Sequence, residues 1–187
     1  MAYKEDKDTK RILSESFKKQ LLKRPFEKIT IKMITDDAGV IRPTFYNYYK
    51  DKYEVFEYIL DEELINITYA LVDNGMEREA IKMIFTYFDK NRDFYHEAFK
   101  VEGQNSFEEI LLNKIALLFE RIIGRHQIRV EDGSKMLSEK NIAKYYSVGM
   151  VYIIKEWMLE DRYKEVEPDE MFDAYLFIIT HSAVGII

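Results

Sequence analysis

The sequence predicts an all-α protein, and three observations carry that prediction. Only 7 Gly and 3 Pro stand among 187 residues, too few turn-formers for a β-sandwich or barrel. Apolar side chains recur at helical spacing along most of the chain. The intervals between these runs are short clusters of breakers, as in "VEGQNS" (101–106), "VEDGS" (130–134) and "EVEPD" (165–169). An apolar content of 47% is enough for one or two domains with a substantial core. The chain has no Cys, which excludes a disulfide framework, thiolate catalysis and cysteine-ligated zinc. The opening "MAYKEDKDTK" has no apolar signal core and no apolar run approaches ~18 residues, so a cytoplasmic protein without a membrane span is expected.

The first helix is expected from about Asp8 to Arg24, with Ile12, Leu13, Phe17, Leu21 and Leu22 on one stripe and Pro25 as its stop. In "FEKITIKMITDDAGV", Thr30 is an N-cap, Ile31, Ile34 and Ala38 form the inward side, and Gly39 suits the left-handed position after the end. A third helix spans Arg42 to Tyr49, with Pro43 in the first turn, where a missing N–H costs nothing. Two short helices separated by about three or four residues make a helix-turn-helix. A long helix from Asp51 to Val72 carries Val55, Phe56, Ile59, Leu60 and Leu64 inward, and its Asp61, Glu62 and Glu63 read as a solvated face. After the break at Gly75, helices are expected at 77–90, 92–101, 105–125, 138–162 and 168–185. The division is an N-terminal helix-turn-helix domain, 1–50, and a C-terminal helical regulatory and dimerisation domain, 51–187, joined by the helix that begins near Lys50.

Charge divides the chain in the same place. The net charge is −6, yet residues 1–52 hold 13 Lys or Arg against 8 Asp or Glu, giving +5, and the remainder holds 15 against 26, giving −11. A basic module that meets a polyanion, followed by an acidic body that does not, fits this asymmetry. At about 100° per residue, Phe45 and Tyr49 of the third helix turn inward. Arg42, Pro43, Thr44, Tyr46, Asn47 and Tyr48 are left facing out, with Lys50 and Lys52 just beyond. Guanidinium and amide suit base edges, and hydroxyls and ammonium suit phosphates. Thr30 adds a hydroxyl at the start of the preceding helix. Double-stranded DNA is the expected partner.

The segment "TIKMITDDAGVIRPTFYNYYKDKYEVFEYIL" (30–60) resembles the DNA-binding region of TetR-family transcriptional regulators, through Thr30, Gly39, Val40, Tyr46, Tyr48 and Lys52. Asp36 and Asp37 depart from the family pattern, which has a small residue before polar ones. The resemblance implies a homodimer on a near-palindromic operator and a helical C-terminal domain. It further implies a repressor whose DNA binding is modulated by a small-molecule effector or a protein co-regulator. "NRDFYHEAFKVEGQNSF" (91–107) and "VGMVYIIKEWM" (148–158) look like the C-terminal domain of a subgroup that includes regulators of dihydroxyacetone-kinase operons. That subgroup contains activators, which is the alternative sign of regulation.

In the body, the last two helices are apolar almost all round. They nominate a dimer interface through Tyr145, Gly149, Val151, Tyr152, Tyr175, Ile179 and Ala183. Tyr69, Tyr87, Phe88, Phe94, Tyr95, Phe99, Phe119 and Trp157 are candidates to line an apolar effector pocket, the alternative being plain core. His96, His126 and His181 show no metal spacing, and no cofactor is expected. With no P-loop, nucleophile elbow, His-Glu-x-x-His or dinucleotide fingerprint, the sequence gives an enzyme no footing. The remaining rival is a helical module that binds only proteins, which leaves the outward polar face of the third helix unexplained.

Overall fold

The computed structural model describes residues 2–126 and 137–181, with side chains from Lys7 onward. Among the described residues stand ten α-helices and no strand. Helix α1 (Ala2–Leu21) buries Leu13, Phe17 and Leu21, a row repeating every fourth residue. Ile12 and Leu22 face solvent instead, because each lies one position, about 100°, off that row. Pro25 follows, and a 3-10 turn (Phe26–Lys28) tucks Phe26 inward.

Helix α2 (Ile31–Asp37) starts as its sequence dictates: the Thr30 hydroxyl oxygen accepts from the Met33 amide at 3.2 Å. It stops at Gly39 (φ +68°), where the Val40 amide donates to the Thr35 carbonyl at 3.0 Å, a closure that needs a left-handed residue. Helix α3 (Arg42–Tyr46) is short, and Phe45 and Tyr49 anchor it from below. The Tyr49 hydroxyl donates to the Lys10 carbonyl at 3.0 Å, and Ser16 Oγ donates to the Ile34 carbonyl at 2.7 Å. These two bonds fix α3 and α2 against α1.

Helix α4 (Lys52–Leu60) begins at Asp51, whose carboxylate accepts from the Tyr53 and Glu54 amides at 2.8 and 3.1 Å. Its Phe56 ring is shared by both halves of the chain. It lies 4.9 Å from Phe17 and 5.7 Å from Phe26 on one side, and 5.3 Å from Phe107 and 6.1 Å from Phe94 on the other. One apolar cluster therefore runs among the described residues through the boundary expected near residue 50.

The single helix expected over 51–72 is broken by a π-turn (Asp61–Ile65) before α5 (Asn66–Asp73). The residue added by a π-turn lets Leu64 and Ile65 stay buried while the three acids before them fan out. They keep contact with solvent, Glu62 exposed and Asp61 and Glu63 half-buried, but each is also ion-paired. Asp61 pairs with Lys114 at 2.8 Å and Glu62 with Lys7 of α1 at 2.8 Å. Glu63 pairs with Lys18 of α1 and accepts from the Tyr87 hydroxyl at 2.9 Å.

The body consists of α6 (Glu77–Lys90), α7 (Arg92–Ala98), α8 (Phe107–Arg125), α9 (Glu139–Leu159) and α10 (Pro168–Thr180). Phe85 of α6 joins three of them, with Trp157 of α9 at 6.2 Å and Phe172 and Tyr175 of α10 at 6.4 and 5.8 Å. Ser106 caps α8 by accepting from the Glu109 amide, and Pro168 opens α10. The "VEDGS" break and the end of the helix expected to reach 185 lie outside the described residues. Among the described residues no helix is long and apolar enough to cross a membrane.

Candidate nucleic-acid interface

The outer side of α3 follows from which of its residues the core takes. Phe45 and Tyr49 are buried, so Arg42, Pro43, Asn47 and Lys50 are exposed, Tyr46 is half exposed, and Thr44 and Tyr48 are half-buried at the flanks. Arg42 and Tyr46, one turn apart, are tied to each other: the Arg42 guanidinium donates to the Tyr46 hydroxyl at 3.2 Å and lies 5.7 Å from its ring centre. The pair forms a pre-set cationic edge beside the Asn47 amide, a surface suited to a groove floor and its phosphate wall. Thr30 stands exposed with its oxygen engaged by the Met33 amide, which leaves the hydroxyl hydrogen to donate outward.

The two carboxylates that depart from the family pattern are neutralised locally. Asp36 pairs with Lys32 of its own helix, and Asp37 lies 3.5 Å from Lys19 of α1. They therefore present little bare negative charge beside α3.

Lys52 does not face outward as the sequence spacing placed it. Its ammonium donates to the carbonyls of Phe26 and Ile29, each at 2.7 Å, and sits 4.1 Å over the Phe26 ring. Partial burial pushes its pKa below the usual lysine value, with Glu27 opposing that shift. The cause is local geometry: a lysine in the first turn of α4 reaches back over the 3-10 turn to the carbonyls at its start and just past its end, the first of which also accepts from the Ile29 amide at 3.0 Å. Lys52 thus holds the loop that leads into α2. Lys50→Ala is expected to lower the slope of log K against log salt by about 1 per subunit, as for any lost phosphate contact. Lys52→Met should leave that slope alone and cost about 1 kcal/mol of stability, allowing for its solvent contact. Filter-binding titrations at several salt concentrations and a thermal melt separate the two roles.

The dimer candidates sort into two groups. On α9, Tyr145 (76% exposed), Gly149 and Tyr152 (60% exposed) line one outward row with Val148. A Cβ added at Gly149 meets nothing within 4 Å. Val151, in contrast, is 2% exposed, because it falls on the inward side of α9 within the intrachain core. Tyr175 is also core, packed on Phe85, with burial raising its phenol pKa, and Ile179 is half-buried. On α10 the outward apolar residues are Phe177 and Ile178, which spacing alone had not singled out for this role. Ala183 lies outside the described residues.

The eight rings proposed for a pocket do not come together around a cavity. Phe88, Phe94, Tyr95, Phe99, Phe119 and Trp157 are buried core members. Rings stack in that core at centroid distances such as 4.4 Å for Phe88–Tyr95 and 4.9 Å for Phe94–Tyr95. Tyr69 sits apart under the Arg121 guanidinium at 4.9 Å, and Phe119 packs on Tyr146 at 5.9 Å. Six of the eight rings thus fill the core. Open space lies instead where α1 meets the body. A cleft of about 590 Å³ is bordered by Leu22, Arg92, His96, Trp157, Met158 and Lys164 among others, and Phe94 borders its neighbour beside Lys18 and Lys19.

Sequence reasoning missed the polar chain at this junction. Lys18, Glu63, Tyr87 and Tyr95 form one connected set, with the two tyrosine hydroxyls 2.6 Å apart. Desolvation, then the neighbouring Tyr95 and Glu63, hold the Tyr87 phenol well above its ordinary pKa. The available signal was an acid wedged beside the buried pair Leu64 and Ile65, a position a fully solvated face would not share.

The profile described as "Bacterial regulatory proteins, tetR family" matches residues 18–59, and that described as "Transcriptional regulator C-terminal region" matches residues 77–181. A relative from Lactococcus lactis subsp. lactis (strain IL1403), the HTH-type dhaKLM operon transcriptional activator DhaS, is 22% identical over 148 residues. That alignment spans 79% of this chain and 78% of the relative. The solved structure of a dihydroxyacetone kinase operon activator DhaS superposes with a TM-score of 0.64 at 20% identity, covering 92% of this chain and 94% of that one. Thermus thermophilus FadR, a TetR-family transcriptional repressor solved with lauroyl-CoA, superposes with a TM-score of 0.63 at 16% identity, covering 95% of each chain. The profile matches reach across the reading head and more than half of the chain beyond it, and on that extent the protein belongs to the TetR family of bacterial transcriptional regulators.

Proposed function

We propose that this cytoplasmic, TetR-family DNA-binding regulator acts as a homodimer, seating α3 of each subunit in successive major grooves of a near-palindromic operator. The observation that carries this reading is the outward face of α3, where Arg42, Tyr46 and Asn47 have no core to serve and stand beside a basic module. In it, Arg42, Thr44 and Asn47 read base edges, and Thr30, Pro43, Tyr46, Tyr48 and Lys50 bear on the backbone. The two subunits meet through the outward rows of α9 and α10. Operator occupancy is the route to repression, DNA release on binding of a small-molecule effector or protein co-regulator relieves it, and the cleft between α1 and the body is the opening such a molecule would enter.

Activation is the second reading. What favours it is the relative DhaS, described as an activator, which aligns along 79% of this chain.

Selection of bound duplexes from a random pool tests the main reading. The wild-type protein is expected to enrich one inverted repeat, with half-sites about one helical turn apart. Asn47→Ala and Thr44→Ala should relax preference at single base pairs, each worth about 1–3 kcal/mol of discrimination. Enrichment of no sequence, or unchanged preference in both variants, counts against the assignment.

A further inference from the structure

We infer that Ile41 reads the C5-methyl group of a thymine in each half-site of the operator. The inference rests on the DNA-reading assignment of α3 and deepens it. Ile41 is 70% exposed, which only Tyr145 exceeds among the described large apolar residues, and Tyr145 stands on a candidate subunit interface. Val40 immediately before it packs on the core, so the chain had an apolar partner within one residue and did not give it to Ile41.

The position explains the exposure. Ile41 is the N-cap of α3 with an extended backbone (φ −82°, ψ 151°), and it makes no side-chain cap. Its carbonyl accepts from the Thr44 amide at 2.9 Å, which fixes the residue at the leading end of the helix. An N-cap is ordinarily Ser, Thr, Asp or Asn, because a side-chain oxygen satisfies a free amide there. Isoleucine forgoes that bond and leaves a bare branched hydrocarbon in water. In helix-turn-helix docking, the N-terminal end of the second helix is the part that meets base edges. The neighbours point to the same ligand: Pro43 adds a second exposed apolar surface, and Arg42 beside them is drawn aside toward Tyr46. The floor of the major groove offers one apolar feature in ordinary DNA, the thymine methyl.

The test uses the operator obtained by selection, with each thymine replaced in turn by deoxyuridine, which removes only the methyl. Wild-type protein is expected to lose about fourfold in affinity at one thymine per half-site, the weight of a single buried methyl-sized group. The loss should be roughly fifteenfold when both half-sites are changed, if the two sites add. Ile41→Ala should bind the unmodified operator more weakly than wild type and show no further loss at that thymine. Its exposed site leaves the fold intact, which a thermal melt checks. If Ile41→Ala keeps the wild-type uracil profile, whether its overall affinity is unchanged or uniformly lowered, methyl reading is overturned while the regulator reading stands. If wild-type protein selects no duplex at all, the DNA-reading assignment itself fails and Ile41 loses its role with it.

Discussion

Tyr152→Glu is expected to convert the protein to a monomer and to lower its affinity for a two-half-site operator by on the order of 10²–10⁴-fold, because each reading head then binds without the other's tethering. Tyr152 is 60% exposed on α9 in a row with Tyr145, Val148 and Gly149, four outward positions one turn or less apart. A carboxylate there costs the free subunit little, since it is solvated. In a subunit interface the same carboxylate is desolvated without a partner, a penalty of several kcal/mol. Val151 is the informative control. At 2% exposure it belongs to the core of its own chain, so Val151→Glu should unfold the subunit rather than separate two. Gly149→Leu supplies the opposite sign: the space beside Gly149 is empty in the subunit, and replacing a mid-helix glycine should raise monomer stability by up to about 1 kcal/mol. The same bulk should block close approach of two helices. Sedimentation velocity with a thermal melt reads all three variants. A dimer that survives both Tyr152→Glu and Gly149→Leu moves the interface off α9.

Much of this architecture is written locally. Thr30, Gly39, Asp51 and Pro168 announce element ends through chemistry within three or four residues, and those ends fall where the sequence puts them. The outward face of α3 was legible for the same reason: with Phe45 and Tyr49 taken inward, helix geometry leaves Arg42, Pro43 and Asn47 nowhere else to point. What was not legible depends on residues far apart in the chain. Lys52 reads as a free cation until the carbonyls of Phe26 and Ile29 are placed under it, 26 and 23 positions away. Val151 and Tyr152 are adjacent apolar letters, and only the packing of α9 against the body decides which is core and which is surface. The π-turn leaves no mark in "DEELI", because Asp61, Glu62 and Glu63 suit an exposed helix as well as they suit three lysines on two other helices. The pocket expectation met the same limit. Aromatic spacing shows that rings share a face, and says nothing about whether other rings fill the space in front of them.

That junction yields the second large effect. Glu63→Leu is expected to cost about 2 kcal/mol and to lower Tm by about 4–8 °C, on the scale for a chain of this size. Glu63 accepts from the Tyr87 hydroxyl at 2.9 Å and pairs with Lys18, whose side chain is 17% exposed. Leucine leaves the Lys18 ammonium with Glu15 at 3.5 Å as its remaining carboxylate, and leaves Tyr87 bonded to Tyr95 alone. The cost is held below that of a fully buried pair because the Glu63 side chain is 31% exposed, so water recovers part of the lost interaction. Glu63→Gln should recover about half of the loss, since its amide oxygen still accepts from Tyr87 while the charge opposite Lys18 is gone. If the carboxylate acts as one shared acceptor, Glu63→Leu and Tyr87→Phe are non-additive by at least about 0.5 kcal/mol in a double-mutant cycle. Strict additivity would make them independent neighbours. The chain runs from α1, which carries the reading head, through the π-turn to α6 and α7 of the body. A non-additive cycle would therefore show that the body and the reading head are energetically coupled through this carboxylate, as well as touching through the Phe56 ring.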